Sequence, residues 1–316
     1  MDKKFDVNID INDVFAQYQQ EQEQQQKAVV VKKTKFDEKN YLNVRLGENE
    51  PSKTMTIRLL PFSKDGGSPF FKVHMHTVKV NRKVSPSGWK TFVCPVNNLN
   101  DGNPMGEKCP FCETSKAAKN LKFNTSDEAT RKKYSDIEFM NRPKEMWVVR
   151  CIERGHEEDG VKFWMFPSSK KRDGVFDKMH NLATIRAESA KRKGNTYNIF
   201  DIHNGLDLIL TFSKTTDNKT SVQIVDEGIP SPLTEDVELG MKWINDEKKW
   251  YEVYTVKPYE FMEIIVNGGV PIYNKEKGCY MDEAQIEAEK DLALAKKMEE
   301  HNASTPESAV DYSEIF

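Results

Sequence analysis

No stretch of this 316-residue chain approaches the roughly 18 consecutive apolar residues that a membrane-spanning helix needs. The longest apolar runs, over residues 28–31 and 206–212, have the length of strands or less, so no membrane partner is expected. The opening MDKKFDVNID lacks the apolar core of a secretory leader, and a cytosolic protein is expected. Cysteine is scarce and odd in number: five, three of them between positions 94 and 112. Without an export signal, such clustering points to a metal rather than to disulfides. There is no GxGxxG, no GxxxxGK[ST] and no internal repeat, which removes phosphate-cradling loops and solenoids.

Net charge is also small, at −3, but the charges are segregated. Residues 52–200 carry 28 Lys and Arg against 16 acids, a net +12. Residues 1–26 are −4, and residues 281–316, with ten acids and three Lys, are −7. A basic body between acidic ends fits a surface for a polyanion, since each phosphate contact releases counterions.

Residues 1–35 read as an arm, with a short polar helix over 12–26. From position 41 the texture becomes alternating. YLNVRL and TMTIRLLPF read as one hairpin, and PFFKVHMHTVKV and WKTFVCP as strands about a turn at 85–88. EMWVVRCIE pairs with VKFWMFP, and LDLILTFSK with TSVQIVDEG. Helices are expected over 176–193 and from Pro258 to Gly268. The sum is a mainly β chain, a small barrel with inserted helices.

The most specific motif is Cys109-Pro-Phe-Cys112, a C-x₂-C knuckle with Cys94 fifteen positions upstream of Cys109. His74 and His76 lie on the preceding strand, and their spacing puts both on one face, so either can complete the set. Three thiolates and one imidazole make the closed donor set of a structural zinc site. A zinc deaminase needs H-x-E followed by P-C-x-x-C. His76 and Val78 stand where that glutamate belongs, and the prolines follow cysteines instead of preceding them. A non-enzymatic protein is therefore expected. Cys151, inside VVRCIE, reads as a small core residue.

Cations interleave with aromatics at Trp89, Lys90 and Phe92; at Arg131, Lys132, Lys133 and Tyr134; at Arg142, Lys144, Trp147 and Arg150; and at Lys170, Lys171 and Arg172. Cations that track phosphates and rings that stack exposed bases suit a single strand. The acidic tail shows helical Ala and Leu spacing over 282–300 and ends on Asp311, Glu314, Ile315 and Phe316. Such a tip can dock in a basic-rimmed pocket of a partner, or the tail can fold back on the basic surface.

In order and type, TIRLLPF, PFFKVHMH, GWKTFVC, KCPFC, WVVRCIERGHEEDGVKFW, KKRDGVFDKM and the acidic tail make the chain similar to the helix-destabilising single-stranded DNA-binding proteins of T-even-type phages. The likeness covers roughly residues 36–270. It implies an OB-fold-like core with a small zinc subdomain at about 70–125, flexible termini, and zinc held by His76, Cys94, Cys109 and Cys112. It also implies a DNA cleft between core and subdomain, with Arg58, Lys90, Arg142, Lys144, Lys170 and Lys171 on the matching basic segments. Function in replication, recombination and repair in the cytoplasm of an infected bacterial host would follow, with the protein packed against itself along DNA and its tail recruiting replication or recombination proteins. The chain departs from that family in longer loops between the ligands and in an acidic, Gln-rich arm where the family's is basic. An RNA-binding regulator on the same fold, or a structural zinc protein that meets an acidic protein partner, fits the composition as well.

Overall fold

The computed structural model describes residues 38–47, 49–61, 69–100, 102–169, 174–216 and 220–304. The helix expected over 12–26 and the last twelve residues of the tail lie outside them. The elements run β1 (Ser52–Leu59), β2 (Phe70–Lys79), β3 (Trp89–Val93), β4 (Leu99–Asn100), β5 (Asn103–Pro104), α1 (Pro110–Phe123), α2 (Glu128–Asn141), β6 (Lys144–Glu153) and β7 (Lys162–Pro167). They continue with α3 (Val175–Arg192), β8 (Leu208–Lys214), β9 (Thr220–Asp226), α4 (Val237–Ile244), α5 (Trp250–Val253), α6 (Tyr259–Val266), β10 (Pro271–Asn274), β11 (Cys279–Asp282) and α7 (Glu283–Ser304).

The architecture is mainly β at its centre. One antiparallel sheet of seven strands runs β3-β2-β6-β1-β8-β9, with β7 also on β6, and curls into a half-barrel with helices inserted. The ten residues of β6 produce the curl. Val149 to Lys144 pair with Phe70 to Met75 of β2, and Cys151 to Glu153 pair with Leu59 to Ile57 of β1. β7 pairs with Met146 to Cys151, so it occupies the opposite edge. One strand thus hands its edge from β2 to β1, and the two halves of the sheet diverge from it.

β6 is covered on both faces, which is why WVVRCI reads as a continuous run instead of an alternation. Val149 and Cys151 enter the main core with Ile57, Leu59, Trp164, Phe166, Leu208 and Leu210. Val148 points the other way, to a second cluster with Val73, Met75, Phe163 and Trp250. Helix α3 lies over β9, held by the Arg186–Asp226 pair and by Lys178 Nζ donating to the Val222 carbonyl at 2.7 Å.

The expected pairings of β2 with β3, β6 with β7 and β8 with β9 are present. The expected hairpin of 41–46 with β1 is not. β1 is paired instead with β8 along Ser52–Ile57 and with β6 at Ile57–Leu59. The alternation in 41–46 instead lays Leu42, Val44 and Leu46 on the main core, anchored where the Leu42 amide donates to the Phe163 carbonyl.

The helical hairpin α1–α2 had no counterpart in the pattern. Helix α2 has no buried residue, so its sequence carries little apolar period. Its start is nonetheless capped by the Asp127 carboxylate, which accepts from the Thr130 amide at 2.8 Å.

Candidate functional site

Three elements bring four donor atoms into one cluster. His76 lies in β2, Cys94 directly follows β3, Cys109 is the N-cap of α1, and Cys112 sits in the first turn of α1. Pro110 opens that helix, where its missing N–H costs no hydrogen bond. The free amides of a helix start favour negative charge, which suits two thiolates there. The four ligand atoms lie within 4.8 Å of one another, so the cluster can hold a metal ion. His76 Nε2 is 3.3 Å from Cys109 Sγ and 3.7 Å from Cys112 Sγ, and the Cys94 and Cys112 sulfurs are 3.6 Å apart. Metal–sulfur bonds of about 2.3 Å and a metal–nitrogen bond of about 2.0 Å make tetrahedron edges of roughly 3.5–3.8 Å. These three separations lie within about 0.2 Å of that range.

The surroundings orient the donors. His76 Nδ1 lies 2.7 Å from the Asn141 carbonyl at the end of α2; as Nδ1–H it donates there and turns Nε2 to the sulfurs. Asn97 Nδ2 donates to Cys94 Sγ at 3.1 Å and to Cys112 Sγ at 3.5 Å. Asn98 donates to the carbonyls of His74 and Cys94 and accepts from the His74 amide, which locks the loop after β3 to β2. Sequence reading passed over these two asparagines; their signal was the Asn-Asn pair three residues past Cys94. His74 faces the same side of β2 but contributes no donor atom to the cluster. Phe111 stacks on Phe92 with centroids 5.4 Å apart and packs beside the His76 ring.

Charge in the cluster is frustrated until a dication shares it. Burial opposes the imidazolium of His76, but the sulfurs of Cys109 and Cys94 outweigh burial and raise it to about 9. Hydrogen bonds from the Cys109 and Cys112 thiols push the Cys94 thiol down. Cys112, facing Cys109 and Cys94, is pushed up. The first thiolate forms easily and the last does not. Cys151, by contrast, is buried in the main core, and burial raises its thiol.

Three expected DNA contacts lie in the interior. Arg58 is 1 % exposed; it pairs with Asp207, and Nη2 donates to the Ser231 hydroxyl at 2.6 Å and the Ser231 carbonyl at 3.0 Å. Arg150 donates to the Trp243 and Ile244 carbonyls, satisfying the C-terminal end of α4. Phe92 belongs to the core around the metal cluster. The physical reason is the same for both arginines. Each interrupts an otherwise apolar strand, TIRLL or VVRCI, and a cation there is buried with a partner more readily than presented to solvent. Lys170, Lys171 and Arg172, and the tail residues Asp311, Glu314, Ile315 and Phe316, lie outside the described residues.

The other expected contacts reach the surface at least in part. Arg131, Lys132 and Lys133 are exposed on α2, with Tyr134 half-buried beside them. Arg142 stands 4.6 Å over the ring of Phe139 and Lys144 stands 5.6 Å from it. Phe139 is 53 % exposed and was not singled out from sequence, because one Phe in a polar helix carries no pattern. Phe123, 73 % exposed, carries Lys122 over its ring. Trp147 is half-buried, stacked on Phe176 with centroids 5.2 Å apart, and Lys72 covers it from outside at 5.3 Å. Burial and then Arg142 lower Lys144, and burial and then Lys257 lower Lys90. Among the described residues, none of Lys90, Arg142 and Lys144 forms an ion pair.

Trp147 and Lys72 border one geometric feature. Phe70, Lys72, His74, His76 and Val78 share a face of β2. That face is covered at one end by the main core, at Phe70, and at the other by the metal core, at His76 and Val78. Between them it opens, with Lys72 exposed and paired in register with Trp147. No helix among the described residues is long and apolar enough to cross a membrane. Compared in sequence with known protein families and with curated proteins, the chain matches none.

Proposed function

We propose that the chain is a sequence-independent single-stranded DNA-binding protein of phage type, acting by stoichiometric coating instead of catalysis. The half-barrel serves as its OB-fold-like core, and His76, Cys94, Cys109 and Cys112 hold one structural zinc. The observation that carries this reading is the pairing of exposed or half-buried rings with cations: Trp147 with Lys72, and Phe139 with Arg142 and Lys144. Rings so placed accept unstacked bases while the cations take phosphates; duplex DNA hides its base faces and cannot use them. Mass action then draws locally melted DNA toward the bound strand. Lys90 and Lys144 are lowered first by burial and only then by a neighbouring cation, Lys257 and Arg142 respectively, and a polyanion relieves the second of these causes.

Zinc fits the donor set: three thiolates and an imidazole with all four positions filled, the pattern of a structural site. When bound, its charge neutralises the thiolates and ties β2, the loop after β3 and the start of α1 together. The acidic tail limits access to the strand and recruits replication or recombination partners in the host cytoplasm.

Anisotropy titration of the full chain with labelled oligo(dT), a hairpin duplex and oligo(U) tests the reading. Oligo(dT) is bound in preference to duplex, with a log–log salt slope of about −0.7 per phosphate contacted. Arg142→Gln with Lys144→Gln flattens that slope by about 1.4, on the same scale. Phe139→Ala weakens binding by about 5- to 150-fold, the range for losing one stacked base. Equal affinity for duplex, or no binding at low salt, rejects the reading; preference for oligo(U) replaces it with an RNA-binding one.

A further inference from the structure

The β2–β3 hairpin ends in a cleft that lies apart from the open β2 face described above. Its volume is about 530 Å³, and it is lined by Lys79, Asn81, Arg82, Gly88 and Trp89 among others. Lys79 and Trp89 are direct cross-strand partners. Lys79 is an odd-numbered residue of β2 and so points to the face opposite Lys72 and His76.

Trp89 distinguishes this cleft. Of the chain's five tryptophans, Trp164, Trp243 and Trp250 are buried and Trp147 is half-buried against Phe176, whereas Trp89 is 41 % exposed. No buried cluster or ring pair includes it among the described residues. The two cations beside it, Lys79 and Arg82, form no ion pair among the described residues. Glu283, at the start of α7, does reach the hairpin, but it is taken up by Lys83.

The loop that carries these groups is fixed by its own hydrogen bonds. Asn81 Oδ1 accepts from the Lys83 amide at 3.0 Å, and the Asn81 carbonyl accepts from Val84 and Ser85. Gly88, at φ +70, closes the turn by accepting from the Val80 amide at 2.9 Å. Ser87 Oγ accepts from the Trp89 amide and donates to the Trp89 carbonyl. A flat ring, two unneutralised cations and a preset loop form a site for something aromatic at one end and anionic at the other.

We propose that the cleft at the tip of the β2–β3 hairpin is a nucleotide subsite in which Trp89 stacks on a base and Lys79 and Arg82 take the adjoining phosphate. The inference rests on the single-strand reading above and adds a second contact on the opposite face of β2. A bound strand then engages both faces of the hairpin and not the central cleft alone.

The test uses the full chain, with oligo(dT) as the probe and two readouts: intrinsic fluorescence and anisotropy of a labelled strand. Wild type is quenched by oligo(dT). Trp89→Phe keeps an aromatic surface, binds nearly as tightly and loses the share of the quench that Trp89 contributes, leaving that of Trp147. Trp89→Ala weakens binding by about 5- to 150-fold. Lys79→Gln with Arg82→Gln, at exposed positions away from any core cluster, lessens the salt slope by about 0.7 for each phosphate lost. Wild-type affinity in Trp89→Ala, or a wild-type salt slope in the double variant, overturns the subsite while oligo(dT) binding by wild type leaves the broader reading standing. Failure of wild type to bind oligo(dT) removes both.

Discussion

With zinc in the proposed site, its chelation, or replacement of Cys109 by Ser, lowers the thermal midpoint of the chain by about 8–16 °C. A ligand held at a thousandfold excess over its dissociation constant contributes about 4 kcal/mol to the folded state. For a body of this size each kcal/mol shifts the midpoint by about 2–4 °C. The effect is this large because the core around the cluster is small. It consists of Val78, Phe92, Cys94, Cys109, Phe111, Met262 and Ile265, so two of its buried members are themselves ligands. Helix α2 contributes no buried residue and is tied on by the His76–Asn141 contact, the Lys122–Glu138 ion pair and the Ser115 hydroxyl, which donates to the Glu138 carbonyl at 3.1 Å. Without a metal, the three sulfurs face one another, which holds the Cys94 thiol down and the Cys112 thiol up. Calorimetry with and without chelator, with hydrogen exchange over 76–141, measures the loss and locates it. Cys279→Ser, at a half-buried position outside the cluster, leaves the midpoint near wild type. A chelated protein that melts at the wild-type temperature sinks the structural role of the metal, whatever Cys109→Ser does by burying a hydroxyl.

The ligand set was legible because metal chemistry is written in spacing. A C-x₂-C with a third cysteine nearby leaves few other readings; the helix start it sits on and the choice between His74 and His76 required three dimensions. That choice turns on Asn141, sixty-five residues away, whose carbonyl orients His76 and not His74. The hairpins were legible where the alternation and the turn residues agree, as in LDLILTFSK and TSVQIVDEG. They were not legible at 41–46, because alternation reports which side chains are buried and not which strand pairs with which. The interface was the least legible part. Cations in a basic segment look alike in sequence, yet Arg58 and Arg150 are internal fasteners while Arg142 and Lys144 face outward. Exposed Phe139 carried no periodic signal at all. Residue type and local period locate a core; which side of it a given cation occupies depends on partners distant in the chain.

Asp207→Ala destabilises the fold by about 3–5 kcal/mol, the cost of leaving a buried charge without its partner. The carboxylate serves two guanidinium groups: Arg58 on one side and Arg154, whose Nε donates to it at 2.7 Å, on the other. Arg58 and Arg154 also hold the segment past β9, through the Ser231 and Leu233 carbonyls. The network therefore clasps β1, the end of β6 and that segment across the half-barrel. Even the backbone is shaped to it, since a Cβ on Gly205 would stand 2.6 Å from Arg58 Nη1. Replacing both partners, Arg58→Met with Asp207→Leu, recovers part of the loss, because an apolar pair of similar volume carries no desolvation cost while Arg154 still loses its carboxylate. The double variant also separates the two roles open to Arg58. If the arginine is a fastener, the double variant binds oligo(dT) as wild type does while Asp207→Ala melts early. If its thermal midpoint recovers and its affinity does not, Arg58 contacts the strand after all, and the clasp must open when DNA binds.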